Sequence, residues 1–198
     1  LFYRRKLRKM DLSRLNKEQQ EAVKYMEGPL LILAGAGSGK TTMMTHRIAY
    51  MLEKGVSPYN ILAVTFTNKA AGEMKDRIES LTGGTRGMWV MTFHAMCVRI
   101  LRNHGEVLGF KNGFSIYDES DKKALLKRIV KDLKIDEKIY PVSYLGSVIS
   151  SCKEAEEDPD DYIENNSMNF KAETVAKVYA RYMEDLQQNN AMDFDDLL

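Results

Sequence analysis

The sequence is poor in features that would settle its class at a glance, and each shortage excludes something. It holds two cysteines, Cys97 and Cys152, in 198 residues. That rules out a disulfide-stapled scaffold and suits reduced thiols in a cytosolic setting. The longest apolar run, residues 30–34, is far below the ~20 residues that a membrane-spanning helix needs. Leu1, Phe2 and Tyr3 pass straight into basic residues without an apolar stretch, so the start is not a secretory signal. An excess of one charge is missing too, because 29 Lys and Arg face 28 Asp and Glu for a net +1. A uniformly basic nucleic-acid binder is thereby excluded, although a locally basic groove is not. Arg4, Arg5, Lys6, Arg8 and Lys9 crowd the start of the chain and leave the remainder net acidic. Internal repeats and low-complexity stretches are absent. The first residue is Leu rather than Met, as expected of a trimmed or excised piece.

What is present is a globular composition, 44% hydrophobic and 29% charged, long enough for one domain and a smaller appendage. Residues 30–42 (LLILAGAGSGKTT) organise the rest. Their apolar start predicts a buried parallel strand. Gly35, Gly37 and Gly39 then predict a loop whose backbone amides surround phosphate at a helix N-terminus. The pattern G-x-x-x-x-G-K-[ST] is met except at its first place, which is Ala34. In such loops the lysine, here Lys40, reaches the β- and γ-phosphates, and the hydroxyl of Thr41 helps hold Mg²⁺. The candidate ATP contacts in this stretch are Ala34, Gly35, Ala36, Gly37, Ser38, Gly39, Lys40, Thr41 and Thr42.

On either side, Asn16 and Gln19 are spaced to form a capping box at the start of a helix. Met43, Met44, Ile48, Met51 and Leu52 recur at helical spacing up to Gly55. Residues 61–66 and 88–93 read as two further short strands, followed by helices over 69–81 and 94–103. Three alternations of strand and helix predict an α/β fold with a parallel sheet. From 118 to 190 helices alone are expected, over about 120–133, 141–154 and 170–188, with an acidic loop at 158–161. Tyr179 and Tyr182 fall on a core stripe, and residues 191–198 read as the start of another helix.

Several blocks together resemble one family, the superfamily 1 DNA helicases of the UvrD/Rep/PcrA type. Residues 15–23 (LNKEQQEAV) resemble its Q motif and 34–42 (AGAGSGKTT) its Walker A. Residues 63–74 (AVTFTNKAAGEM) resemble motif Ia, and 91–102 (MTFHAMCVRILR) motif Ib. Residues 193–198 (DFDDLL) resemble the segment where that family's chain leaves an inserted helical subdomain. The resemblance implies an N-terminal fragment built as an α/β P-loop NTPase (RecA-like) parallel sheet, incomplete, with an inserted all-helical subdomain. Residues 1–12 are then a basic tail and 13–118 the N-terminal part of the first RecA-like ATP-binding domain. Residues 119–190 are the helical subdomain 1B, and 191–198 start the truncated return into the ATP-binding domain.

The resemblance also implies roles. Gln19 hydrogen-bonds the adenine edge. Thr65, Phe66, Asn68, Thr92, Phe93 and His94 contact single-stranded DNA, with Phe66 stacking on a base. Thr42 departs from the Arg that many relatives carry there, so no guanidinium contact is expected. Lys122, Lys123, Lys127, Arg128 and Lys131 either face duplex phosphates or form an ordinary solvated face. The implied cofactors are ATP and Mg²⁺. The implied partners are single-stranded DNA and a duplex junction, with no membrane, in the cytoplasm. The implied activity is ATP-dependent 3′→5′ unwinding. A Walker B acidic pair, a glutamate to orient water and arginine fingers are missing, so these residues alone are expected neither to hydrolyse ATP nor to unwind DNA. The strands that flank a Walker A strand are missing as well, which leads one to expect a rearranged or self-associated sheet, or a complementing fragment. The rival readings are the helicase part of a helicase–nuclease and a nucleotide- or DNA-binding module without turnover.

Overall fold

The computed structural model describes residues 10–198, so most of the expected basic tail lies outside the described residues. Asn16 caps α1 (Lys17–Lys24) in a complete capping box. Its side chain accepts the Gln19 N–H at 2.8 Å, and Gln19 Oε1 accepts the Asn16 N–H at 3.0 Å. Gly39 opens α2 (Lys40–Glu53). A 3-10 turn at Pro58–Asn60 leads into β1 (Leu62–Thr65). Thr67 then caps α3 (Asn68–Thr82), its hydroxyl oxygen accepting the Ala70 N–H at 3.2 Å. After α3, β2 (Trp89–Thr92) runs directly into α4 (Phe93–His104).

The packing divides the chain inside α4, into units Leu1–Met96 and Cys97–Leu198. In the first unit β1 and β2 pair in parallel, Leu62 opposite Trp89 and Thr65 opposite Thr92. Parallel neighbours need a crossover, and α3 supplies it. Ile48 and Leu52 of α2, Ile61 and Ala63, Met74 and Ile78 of α3, and Met88 form the core between helices and sheet. The Ile, Leu and Met side chains among them contribute about 1.5–3 kcal/mol each when fully buried. A smaller cluster of Leu15, Val23 and Met43 joins α1 to α2.

Residues 30–34 do not form the buried strand expected of them. They join no ladder among the described residues, and Leu31 and Leu33 are 82% and 87% exposed. A parallel strand is buried when neighbours satisfy its backbone and helices cover both faces. Among the described residues β1 pairs with β2 alone, so the run has no ladder to enter.

The second unit is mainly helical. It holds β3 (Ser115–Tyr117), α5 (Glu119–Asp132), α6 (Val142–Glu154), α7 (Pro159–Asn165), α8 (Ala172–Gln188) and β4 (Ala191–Asp193). Leu126 and Ile129 of α5, Leu145 and Ile149 of α6, and Val178 and Tyr182 of α8 are fully enclosed in one core. Tyr179 and Tyr182 are core residues, as their stripe predicts. Two segments differ from expectation. Residues 158–161 are a helix start rather than a loop. Asp158 accepts the N–H groups of Asp160 and Asp161 at 2.8 Å, and Pro159 takes the first helical position. Residues 191–193 are a strand rather than a helix. They pair in parallel with β3, Ser115 opposite Ala191 and Tyr117 opposite Asp193. A 3-10 turn at Asp195–Leu197 follows.

Candidate nucleotide and DNA sites

The glycine-rich loop turns on two residues in the left-handed region, Gly37 at φ +74° and Gly39 at φ +79°. A side chain at either would be strained. Ser38 Oγ donates to the Gly35 carbonyl at 2.7 Å, closing the turn between them. Lys40, the first residue of α2, folds back over the loop, and its Nζ donates to the carbonyls of Ala34 and Gly35 at 2.7 and 2.6 Å. These bonds are exposed, so anionic oxygens can replace the carbonyls at little cost. Ala36 and Thr41 are also exposed, and Thr42 is half-buried. The Thr42 carbonyl accepts from Thr45 Oγ1 at 2.9 Å and lies 2.7 Å from His46 Nδ1, so His46 is an ordinary helix residue.

Gln19 reaches this loop from α1, and Nε2 donates to the Ser38 carbonyl at 2.9 Å. The donor set fits a triphosphate: an ammonium, a helix N-terminus and a loop that only small residues can form. Among the described residues no cluster of three or more His, Cys, Asp or Glu side chains is arranged to hold a metal. In the phosphate-loop pattern the hydroxyl of the residue after the lysine, here the exposed Thr41, would join phosphate oxygens and water around Mg²⁺.

The second set of candidates meets at the carboxyl end of the β1–β2 pair. The register places Thr65 beside Thr92, so Phe66 and Phe93 follow side by side, ring centroids 5.6 Å apart and planes tilted by 43°. Phe66 is 90% exposed. Thr65 Oγ1 donates to the Thr67 carbonyl at 3.1 Å. Thr92 is buried, and its hydroxyl accepts the Ala95 N–H at 3.2 Å, anchoring the start of α4. Asn68 is exposed and His94 half-buried.

In the second unit, the basic face of α5 is not uniform. Lys123, Lys127 and Lys131 are exposed, but Lys122 is buried, and its Nζ lies 2.6 Å from both Asp195 Oδ2 and Ser150 Oγ. Arg128 is bonded to Asp185 at 3.0 Å, beside Arg181 at 2.8 Å on the other carboxylate oxygen. Lys122 is therefore withdrawn from any phosphate-facing role. The buried lysine has company that local patterns did not reveal. Lys153 Nζ bonds Asp193 at 3.0 Å and Asp196 at 2.7 Å, and the Tyr182 hydroxyl donates to Asp193 at 2.8 Å. Burial raises the Asp193 carboxyl, but the Lys153 charge and the Tyr182 bond outweigh it and hold it below its usual range. Burial and the neighbouring Asp193 charge instead push Asp196 up, against the pull of Lys153. The signal was the DFDD run, whose three carboxylates need cations wherever they are buried.

The molecule is thus an α/β protein with short parallel sheets and a phosphate-loop sequence at a helix N-terminus. The model of the UvrD/REP helicase N-terminal domain family matches residues 15–198, and the chain belongs to that family. It is 49% identical over 190 residues to the ATP-dependent DNA helicase PcrA of Staphylococcus aureus (strain Mu50), covering 94% of this chain and 26% of that protein. It is 50% identical over 187 residues to the ATP-dependent DNA helicase PcrA of Staphylococcus epidermidis (strain RP62A), covering 93% of this chain and 25% of that protein. The chain spans about a quarter of the length of the curated relatives it matches. No helix among the described residues is long and apolar enough to cross a membrane.

Proposed function

We propose that the chain is the ATP-binding and single-stranded-DNA-binding portion of an ATP-dependent 3′→5′ DNA helicase acting in the cytoplasm. The observation that carries this reading is the parallel register of Thr65 and Thr92, which sets Phe66 and Phe93 together at the carboxyl edge where open α/β sheets bind ligands. Membership of the family and the names of the relatives support it. Bound ATP·Mg²⁺ would supply the free energy of phosphoryl transfer. Lys40 would exchange two carbonyls for phosphate oxygens. The amides of the loop from Gly35 to Gly39 would share the phosphate charge, and the Thr41 hydroxyl would join the metal's ligands. Gln19 retains one amide N–H and one carbonyl lone pair for the adenine edge.

At the sheet edge, Phe66 would stack on a base. Thr65, Asn68, Phe93 and His94 would position sugar and phosphate without reading sequence, and Thr92 would fix the start of α4. In this reading residues 13–118 and 191–198 belong to the ATP-binding portion and 119–190 to subdomain 1B. The direct pairing of β3 with β4 supports that assignment, because it leaves the intervening helices as an insertion between neighbouring strands. In this reading the residues matched to motifs here bind nucleotide. The acidic pair, water-orienting glutamate and arginine fingers that phosphoryl transfer needs are not among them, so DNA-stimulated turnover is not expected of this chain by itself. The exposed apolar run at 30–34 favours self-association through an unpaired backbone.

The test is a titration of a labelled oligothymidylate by anisotropy, with a parallel assay of phosphate release. Saturable oligonucleotide binding without DNA-stimulated turnover supports the reading. Failure to bind, or robust turnover by these residues, contradicts it.

A further inference from the structure

Gln19 belongs to two structures at once. Its backbone N–H and Oε1 complete the capping box of α1, while Nε2 holds the carbonyl of Ser38 in the phosphate loop. The approach is close: a Cβ on Gly39 would come within 3.0 Å of Nε2. Ser38 C=O and Gly39 N–H belong to one planar trans peptide and point in opposite directions. Anchoring the carbonyl on α1 therefore turns the Gly39 N–H away from α1, at the N-cap residue just before α2. That N–H is among the first donors an anion at this helix end would use.

We propose that Gln19 is a positioning residue for the phosphate loop itself, and not a reader of the base alone. Its Nε2 fixes the Ser38–Gly39 peptide and so sets the loop's geometry toward any polyphosphate, whether or not that ligand carries adenine. The proposal rests on the reading of the loop as a triphosphate site.

A base-free ligand separates the two roles. The 198-residue chain is titrated with a fluorescent ATP analogue and Mg²⁺, and the analogue is displaced by ATP or by inorganic tripolyphosphate. Gln19→Ala is expected to weaken both competitors, tripolyphosphate by about 5-fold, the worth of one neutral hydrogen bond. Gln19→Glu keeps an acceptor for the Asn16 N–H but loses the donor to Ser38, and is expected to weaken tripolyphosphate at least as much. Asn16→Ala removes the side-chain cap of the same helix while keeping its backbone N–H. It is expected to lower Tm and leave tripolyphosphate affinity unchanged.

Loss of ATP affinity alone in Gln19→Ala, wild-type tripolyphosphate affinity in Gln19→Glu, or an equal loss in Asn16→Ala each overturns the proposal and leaves the triphosphate site standing. A wild-type chain that binds neither ligand overturns both.

Discussion

Phe66 and Phe93 stand 5.6 Å apart where two parallel strands end, and the outer ring is almost wholly in water. A ring at 90% exposure contributes little to folding, so its removal separates binding from stability. Phe66→Ala is expected to weaken binding of single-stranded oligonucleotide by roughly 5- to 150-fold, from ~1–3 kcal/mol per stacked base. Its melting temperature should stay close to wild type. Anisotropy and thermal unfolding on the same sample check both halves.

Lys122 gives the opposite balance. It is a buried cation bonded to Asp195 and Ser150, so Lys122→Met leaves a carboxylate without its partner. The expected loss is about 3 kcal/mol, the lower end for a broken buried pair, because Asp195 keeps some exposure. Lys123→Met, one residue along on the exposed face, should change stability by less than about 0.5 kcal/mol. Urea denaturation of the two variants makes the comparison.

Asp185 predicts a pH dependence. Burial raises its carboxyl, but the bonds and charges of Arg181 and Arg128 outweigh burial and hold it below the ordinary value of 3.8. A value depressed by folding means a contribution that is present at neutral pH and lost as pH falls from the ordinary value through the folded one. Asp185→Asn should cost ~1 kcal/mol at pH 7, modest because both arginines are half in water. The variant and wild type should converge in acid, which thermal melts from pH 7 downward would show.

The apolar run at 30–34 predicts association. Replacing both Leu31 and Leu33 by Glu places charge on the unpaired segment and is expected to shift the chain toward monomer in light scattering. A wild-type chain that is already monomeric at high concentration contradicts this part of the account.

Much of this molecule is legible from local chemistry. Asn16 with Gln19, Gly39 and Thr67 mark helix starts because a cap acts within three or four residues. Asp158 and Pro159 carry the same kind of signal, masked by the density of acidic residues around them. What local pattern misses is pairing at a distance. Lys122 looks like any surface lysine until Asp195, 73 residues on, is brought against it. Residues 191–193 become a strand because β3 lies beside them, whereas 30–34 find no ladder to join among the described residues. At the candidate sites the residue types are plain in the sequence, but the bond from Gln19 to Ser38 depends on how α1 packs against α2.

The central claim, that the loop from Ala34 to Thr42 is a polyphosphate site, is tested most directly by Lys40→Ala. Lys40 is exposed and its Nζ bonds the loop carbonyls of Ala34 and Gly35, so its loss should leave the melting temperature nearly unchanged. Titration with a fluorescent ATP analogue and Mg²⁺ should show saturable binding by the wild-type chain. The variant should bind about 10- to 100-fold more weakly, the worth of a charge-assisted contact. Equal affinity in the two proteins would contradict the account.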